Sequence, residues 1–367
     1  MKICFVSGAL PDVTCGIGDY TDSLARALAR RGHKVVVLTS ATADLRSPAD
    51  YRVVPLQTDW SLGEAGKVAA AARREQPDVM HVQFPGTGYG RGYGACFSPW
   101  AVRLRSLQPG ASRPLLATTL HEFESLRTRY RVRLALAAAA CDLVISPDQM
   151  SLASMRRLLQ PRPRLRTELI PLAANVWPSV ETPGPGSAPK HDELVVGYWG
   201  FIRPDKGVDL LLEAFAQVLQ SRPARLILAG DPGSEIGYAD SLRRRADELG
   251  IAGSITTTGK LSADKLSAEL QSFDVCCLPF RDGLTQSRGT YAGSVAHGLY
   301  VVTTAPNRRA FDPETNTAFV PPNDRDALAS AILDAPDHPR QKVTATAEAA
   351  WDEIAERHLA AYRGAGA

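Results

Sequence analysis

Short apolar runs recur along this chain, and the stretches between them alternate apolar and polar residues at helical spacing. KICFVS (2–7) is the first apolar run. A glycine-bearing loop follows it, and then DYTDSLARALARRG (19–32). There Tyr20, Leu24, Ala27, Leu28 and Arg31 fall at helical spacing, and Gly32 supplies a C-terminal stop. KVVVLTS (34–40), DVMHVQF (78–84), PLLATTLH (114–121) and DLVISP (142–147) read as further strands. Continuous apolar strands separated by helices predict parallel βαβ units.

The alternation breaks at PSVETPGPGSAPKHDE (178–193), where Pro and Gly crowd together as in a linker. It restarts with the strand LVVGYWG (194–200) and the helix VDLLLEAFAQVLQ (208–220). ARLILAG (224–230), SITTTG (254–259), DVCCLPF (274–280), YVVTT (300–304) and TAFVP (317–321) read as strands. The division expected is a Rossmann-like domain over 1–178, a linker over 179–193 and a second Rossmann-like domain over 194–343. The two are expected to face each other across a cleft, the default ligand site, because such sheets bind beyond the carboxyl ends of their strands. The stretch 344–367 reads as a helix, with Trp351, Ile354, His358, Leu359 and Tyr362 near one face. Its part over 344–364 is expected to close the first domain.

Composition narrows the function classes. The 367 residues are 44% hydrophobic and 22% charged, which is globular, and a net charge of +3 is too mild to argue for nucleic acid. Cysteines at 4, 15, 96, 141, 276 and 277 form no CxxC pair, so buried free thiols in a reducing compartment are expected. The opening MKICFVSG reads directly as a strand, and no apolar run reaches the length of a membrane span, so a cytoplasmic location is expected. RTRYRVRLALAAAA (127–140) leaves a weak peripheral membrane contact open, but its arginines spread around a helix, which favours a solvated surface.

Four segments carry candidate chemistry. In TCGIGDY (14–20), Gly16 and Gly18 allow backbone N–H groups close to an anion, although the third glycine of the dinucleotide fingerprint is missing and a plain tight turn is equally consistent. In GFIRPDKGVDLL (200–211), Arg203 and Lys206 stand at the start of a helix, where the macrodipole repels cations. An anionic ligand such as a diphosphate supplies a reason for them, and a solvated turn with Asp205 as local partner is the alternative. In LPFRDGLTQSRGT (278–290), Ser287 or Thr290 is a candidate helix cap, the free N–H groups suit a phosphate, and Asp282 and Thr285 suit sugar hydroxyls. His121 ends a strand in TLHEF (119–123) and is a candidate site residue beside the reading of a capped core histidine, whereas His81 within DVMHVQF reads as core. DRD (324–326) matches a metal-binding string of sugar transferases but reads more simply as the first turn of a helix.

In order along the chain, these segments resemble the retaining glycosyltransferases of family four, which have the GT-B fold. The ordered set is the glycine loop after the first strand, the His-ended strand, the Pro/Gly linker and GFIRPDKGVDLLLEAF. LILAGD, ITTTGKLSADKL, DVCCLPF, AHGLYVVTT and WDEIAERHLAAYR complete it. The resemblance covers essentially the whole chain. It implies a C-terminal helix that crosses back to the first domain, a nucleotide-sugar donor held mainly by the second domain, and an acceptor held mainly by the first. The acceptor class it leaves open is carbohydrate, lipid-linked or small-molecule. No metal and no other cofactor is implied, because cations and N–H groups take over stabilisation of the leaving diphosphate.

Carried onto this chain, the resemblance makes Arg203 and Lys206 the diphosphate clamp and puts His121 near the transferred sugar. Gly16 and Gly18 add N–H donors, and Gly259, Lys260 and Leu261 border the nucleobase. Gly200, Gly283, Thr285, Arg288, Gly289 and Thr290 complete the donor site, with Asp282 on the donor sugar.

Two positions depart from the family's pattern. Phe201 follows Gly200 where the family often has Arg, and Thr285 and Gly293 stand where many members carry the two carboxylates of E-x7-E. The resemblance therefore implies a subtype lacking that pair. It leaves two function classes: an active retaining transferase, or a catalytically reduced nucleotide-binding or partner subunit. An epimerase or a phosphorylase on the same fold ranks last, since no acid/base carboxylate set or cofactor lysine stands out. The loop FPGTGYGRGYGACF (84–97), with Tyr89 and Tyr93 suited to stacking, is expected to touch the acceptor.

Overall fold

The structure is a computed structural model that describes residues 1–11, 15–42, 45, 48–84, 89–90, 92–107, 113–121, 123, 126, 128–159, 165–178, 193–231, 235–307 and 310–367. The expected linker falls almost wholly outside these residues. The chain divides into two compact units, Met1–Asn175 with Ala347–Ala367, and Val176–Thr346.

The first unit runs β1 (Lys2–Val6), α1 (Gly16–Arg30), β2 (Lys34–Ser40), β3 (Arg52–Leu56), α2 (Ala65–Arg74), β4 (Val79–Phe84), α3 (Gly94–Arg105), β5 (Leu115–Leu120), α4 (Thr128–Ala138), β6 (Leu143–Ser146), α5 (Gln149–Leu159) and β7 (Arg166–Leu169). Among the described residues its sheet has seven strands in the order β3-β2-β1-β4-β5-β6-β7, and every pair is parallel. β4, β5 and β6 are buried along their whole length, as a sheet covered on both faces requires.

The second unit runs β8 (Leu194–Trp199), α6 (Val208–Ser221), β9 (Ala224–Ala229), α7 (Ile236–Glu248), β10 (Ile255–Thr257), α8 (Ala263–Gln271), β11 (Val275–Leu278), α9 (Gly289–Ala296), β12 (Tyr300–Thr304), β13 (Phe311–Asp312), β14 (Thr317–Val320) and α10 (Arg325–Leu333). Its order is β10-β9-β8-β11-β12-β14-β13, with only the β13–β14 pair antiparallel. In both sheets the first strand of the unit lies beside the fourth strand of the run, and the order reverses there. This is the Rossmann arrangement, and the reversal opens a crevice at the carboxyl ends of the two central strands.

α11 (Ala347–Ala365) belongs to the first unit. Trp351, Ile354, His358, Leu359 and Tyr362 are all buried, as their spacing predicts. The helix is fixed by polar contacts as well as by packing. Trp351 Nε1 donates to the Ala174 carbonyl at 3.0 Å, His81 Nδ1 meets the Tyr362 hydroxyl at 2.6 Å, and Tyr20 Oη lies 3.2 Å from His358 Nε2. His81 is therefore a core histidine. Its other nitrogen meets Thr119 Oγ1 at 2.8 Å, so both ring nitrogens are satisfied.

All six cysteines are free and buried. Asp324 caps α10 by accepting from the Ala327 N–H at 3.0 Å, so the DRD string is a helix start. Among the described residues, no helix is long and apolar enough to cross a membrane.

Candidate active site

In the second unit the sheet order reverses between β8 and β11, so the loops after these strands share one crevice. The β8 loop needs glycines. Gly200 has φ +122° and Gly207 has φ +69°, and a Cβ at Gly207 would stand 2.2 Å from the Pro279 carbonyl oxygen. Only glycine lets the two loops approach this closely. The Arg281 N–H donates to the Asp205 carbonyl at 3.2 Å, and its side chain bonds the Pro204 carbonyl, Asn323 and Asp209. Arg281 is thus a tie between loops.

Three cations converge inside this frame. Arg203 meets the Asp205 carboxylate through Nε at 3.0 Å and Nη2 at 3.2 Å. Lys206 Nζ lies 3.0 Å from Asp205 Oδ2, and Arg288, from the other loop, reaches the same oxygen at 3.6 Å. Phe280 forms a shared floor, with the Arg288 guanidinium 4.7 Å and the Lys206 ammonium 5.6 Å from its ring centre. Three positive groups and one carboxylate leave an excess of positive charge, and the Lys206 side chain is only 13% exposed.

The electrostatics follow from that crowding. Burial pushes the Lys206 ammonium down, and Arg288 pushes the same way, against the opposing pull of Asp205. Burial is the largest single influence on Asp205 and works to raise it. The hydrogen bonds and charges of Arg203 and Lys206 together outweigh burial and hold the carboxyl down to about 2. Arg288 Nε is buried without a hydrogen-bond partner among the described residues, a donor left over for a ligand.

α9 begins beside this cluster. A Cβ at Gly200 would stand 2.8 Å from Thr290 Cγ2, which places the β8 turn against the helix start. The cap differs from the sequence expectation. Arg288 holds the cap position and makes no side-chain cap bond, Thr290 lies within the helix, and the Ser287 hydroxyl pairs with that of Thr285 at 2.9 Å. The N–H groups of Gly289 and Thr290 take no partner among the described residues, as the geometry of a helix start dictates.

The remaining expected residues separate into groups. Asp282 sits exposed in the turn Phe280–Gly283, closed by the Gly283 N–H on the Phe280 carbonyl at 3.1 Å, and has no side-chain partner among the described residues. The structure does not bring it to the cations. Gly283, at φ +85°, makes that turn, and a Cβ there would meet Pro306 at 2.6 Å. Gly259, Lys260 and Leu261 follow edge strand β10, two strands from the crevice, and Lys260 is exposed. Gly293 faces Trp199: a Cβ would stand 2.6 Å from Trp199 Cζ2, and the indole N–H is fixed on Ser294 Oγ at 2.9 Å. The side-chain space at this position is filled by tryptophan.

In the first unit the corresponding reversal lies between β1 and β4. Gly16 and Gly18 form the first turn of α1 and do not belong to a preceding loop. Gly18 is there for packing, since a Cβ would come within 3.1 Å of the Ala9 carbonyl oxygen, while Gly16 has open space. His121 lies just beyond β5, buried, with Nε2 2.8 Å from Gln83 Oε1 and its ring edge-on to Tyr20 at 4.9 Å. Burial, with His358 a lesser influence, holds its imidazole down at about 3, so it is neutral at physiological pH.

Tyr89 is not a free stacking platform. It is buried, donates to the Val6 and Gln83 carbonyls, and packs on Phe84 and Trp60. Tyr93 does line a cavity of about 590 Å³, with Asp59, Ser61, Leu62, Gly92, Phe97 and Arg133. The sequence reading missed Gln83, Asp205 as the hub, and Trp199. The DK pair in PDKG signalled Asp205, but nothing in the sequence signalled Trp199 over Gly293.

Comparison with known proteins agrees in both units. Residues 14–176 match the model of Glycosyltransferase Family 4, and residues 193–337 match that of Glycosyl transferases group 1. A phosphatidyl-myo-inositol mannosyltransferase of Mycolicibacterium smegmatis is 24% identical over 91% of this chain and 84% of its own length. A D-inositol 3-phosphate glycosyltransferase of Mycobacterium leprae is 37% identical, over 24% of this chain and 20% of its own length.

Among solved structures, sucrose-phosphate synthase from Thermosynechococcus elongatus superposes with a TM-score of 0.68 at 20% identity, covering 99% of this chain and 95% of the other. The Anabaena protein HepE, in complex with UDP and glucose, gives 0.67 at 17% identity over 99% and 98%. The two family models between them take in most of the chain, one per unit, on two sheets of Rossmann order; the chain is a glycosyltransferase of the family-four-like GT-B class.

Proposed function

We propose that the chain is a retaining, metal-independent transferase that moves a sugar from a nucleoside-diphosphate sugar to an acceptor hydroxyl. The observation that carries this reading is the convergence of Arg203, Lys206 and Arg288 on the one Asp205 carboxylate, beside the open start of α9. Such a cluster suits a diphosphate, whose charge grows as the glycosidic bond breaks. The free N–H groups at Gly289 and Thr290 and the unpartnered Arg288 Nε are further donors for the phosphates. Protein cations take the part that a metal plays elsewhere, and no other cofactor enters. The acceptor hydroxyl attacks from the face the leaving group departs from, and the departing phosphate takes its proton. Positioning and charge stabilisation supply the rate, and no protein nucleophile is used. The same reading assigns neutral His121 to the transferred sugar and the Tyr93 cavity to the acceptor.

HepE is described in complex with UDP and glucose, which makes uridine the first base to test. The filled space at Gly293 supports a subtype without the second carboxylate of E-x7-E. The experiment is a melting-temperature screen of sugar nucleotides, followed by calorimetry with UDP, GDP and ADP and a turnover assay in EDTA. Binding of one diphosphate with turnover in EDTA, and a product of unchanged anomeric configuration by NMR, supports the reading. Tight binding with no turnover of any donor would replace it with the partner-subunit reading. Turnover that EDTA abolishes would remove metal independence.

A further inference from the structure

Gln83 and His81 alternate with Val82 on β4 and so share one face of the strand, yet their surroundings differ. His81 is closed on both ring nitrogens, by Tyr362 and by Thr119. His121 is closed on one. Its backbone N–H donates to the Phe84 carbonyl at 3.1 Å, its ring stands at 77° to that of Tyr20, and Tyr20 is in turn held by His358 of α11. Its Nε2 meets Gln83 Oε1 at 2.8 Å. Its Nδ1 has no hydrogen-bond partner among the described residues.

A carboxamide oxygen only accepts, so the imidazole nitrogen facing it carries the proton. The other nitrogen then keeps its lone pair. Gln83 is wholly buried, and its own Nε2 has no partner among the described residues. An apolar residue of the same shape would avoid that unpaired donor, so packing alone gives no reason for an amide here.

We propose that Gln83 is a positioning residue: by accepting from His121 Nε2–H it holds the imidazole in the tautomer whose Nδ1 lone pair accepts a hydroxyl of the transferred sugar. This rests on the reading that places His121 by that sugar. Gln83 does not touch the substrate and acts through His121, as groups behind a functional histidine commonly do.

The test has one arm that needs no activity. In protein labelled with ¹⁵N-histidine, long-range ¹H–¹⁵N correlations identify the tautomer of His121, assigned by its loss in His121→Ala. The expected result is Nε2–H in the native protein and a mixture in Gln83→Met. An Nδ1–H imidazole in the native protein overturns the proposal, even if Gln83→Met proves unstable. The second arm is a double-mutant cycle on turnover of UDP-glucose or GDP-mannose. Gln83→Met is expected to lower kcat/KM on the order of 10-fold. Added to His121→Ala it should cost nothing further, because the two act as a unit. Gln83→Glu, which keeps an acceptor, should restore the Nε2–H signal. Losses that add independently overturn the proposal while leaving the transferase reading intact. No effect of His121→Ala on turnover removes the role of His121 itself.

Discussion

Asp205 shows how one residue can satisfy two readings that the sequence presents as rivals. From GFIRPDKGVDLL alone, the cations are either paired locally or held for an anion. In the folded unit they are paired, and the pairing orients them: Arg203, Lys206 and Arg288 hold fixed positions on one carboxylate. Arg203 and Lys206 were legible from their spacing, because cations at a helix start call for an explanation. Arg288 was legible only as a loop residue, since its approach depends on the strand order that places the β11 loop beside the β8 loop. Gly293 is the opposite case. Its missing carboxylate is visible in the sequence, but not the reason a side chain is excluded, which is Trp199 at the end of β8. Gly293→Glu is therefore expected to destabilise the protein by about 1–3 kcal/mol through overpacking. Urea unfolding checks this, and a variant of native stability with tighter nucleotide binding would contradict it.

At the scale of elements, strand positions were read closely because apolar runs between helices are specific to parallel sheets. KVVVLTS is β2 without change, and YVVTT is β12. β4 ends at Phe84 as read, and the other expected strands ended a residue or two early, where the ladder gives way to the ligand-side loop. β7 and β13 escaped detection because RTEL and FD carry too few apolar residues to stand out, and β3 because Pro55 interrupts RVVPL, which is tolerated only because β3 is an edge strand. Helix starts were harder to place, as with Gly16 and Arg288, because the caps here use no side-chain bond.

One element-level device went unnoticed. Arg340 is largely buried and donates to the carbonyls of His297, Leu270, Gln271 and Phe273 at 2.8–3.2 Å, at the C-terminal ends of α8 and α9. A guanidinium satisfies orphan carbonyls and complements both helix dipoles. Arg340→Met should lower the stability of the second unit by about 3 kcal/mol, given the strength of charge-assisted bonds. Hydrogen exchange would report it as lost protection in the last turns of α8 and α9. Unchanged protection would mean the carbonyls find other donors.

At the scale of the whole molecule, the buried histidines give a pH dependence with a definite sign. Burial is the leading cause in each case. It holds His121 at about 3, His358 and His297 at about 4, and His81 well below its ordinary value. All are neutral when folded, and in the unfolded chain they take up protons below pH ~6.5. The unfolded state then binds more protons, so stability is full above that pH and falls on acidification toward pH 4. Each histidine contributes up to about 1.4 kcal/mol per pH unit in that window. The melting temperature is expected to drop steadily between pH 6.5 and 4.5, and a flat profile would contradict the neutral burial of these groups.

The central claim is that the cation cluster of the second unit stabilises a leaving diphosphate, and the most direct measurement is turnover by Arg203→Ala/Lys206→Ala. With native melting behaviour in the absence of ligand, the double variant should lose transfer by at least on the order of 10²–10³-fold, the scale seen when a preorganised charge-stabilising donor is removed. A folded double variant that still transfers sugar at the native rate would contradict the account.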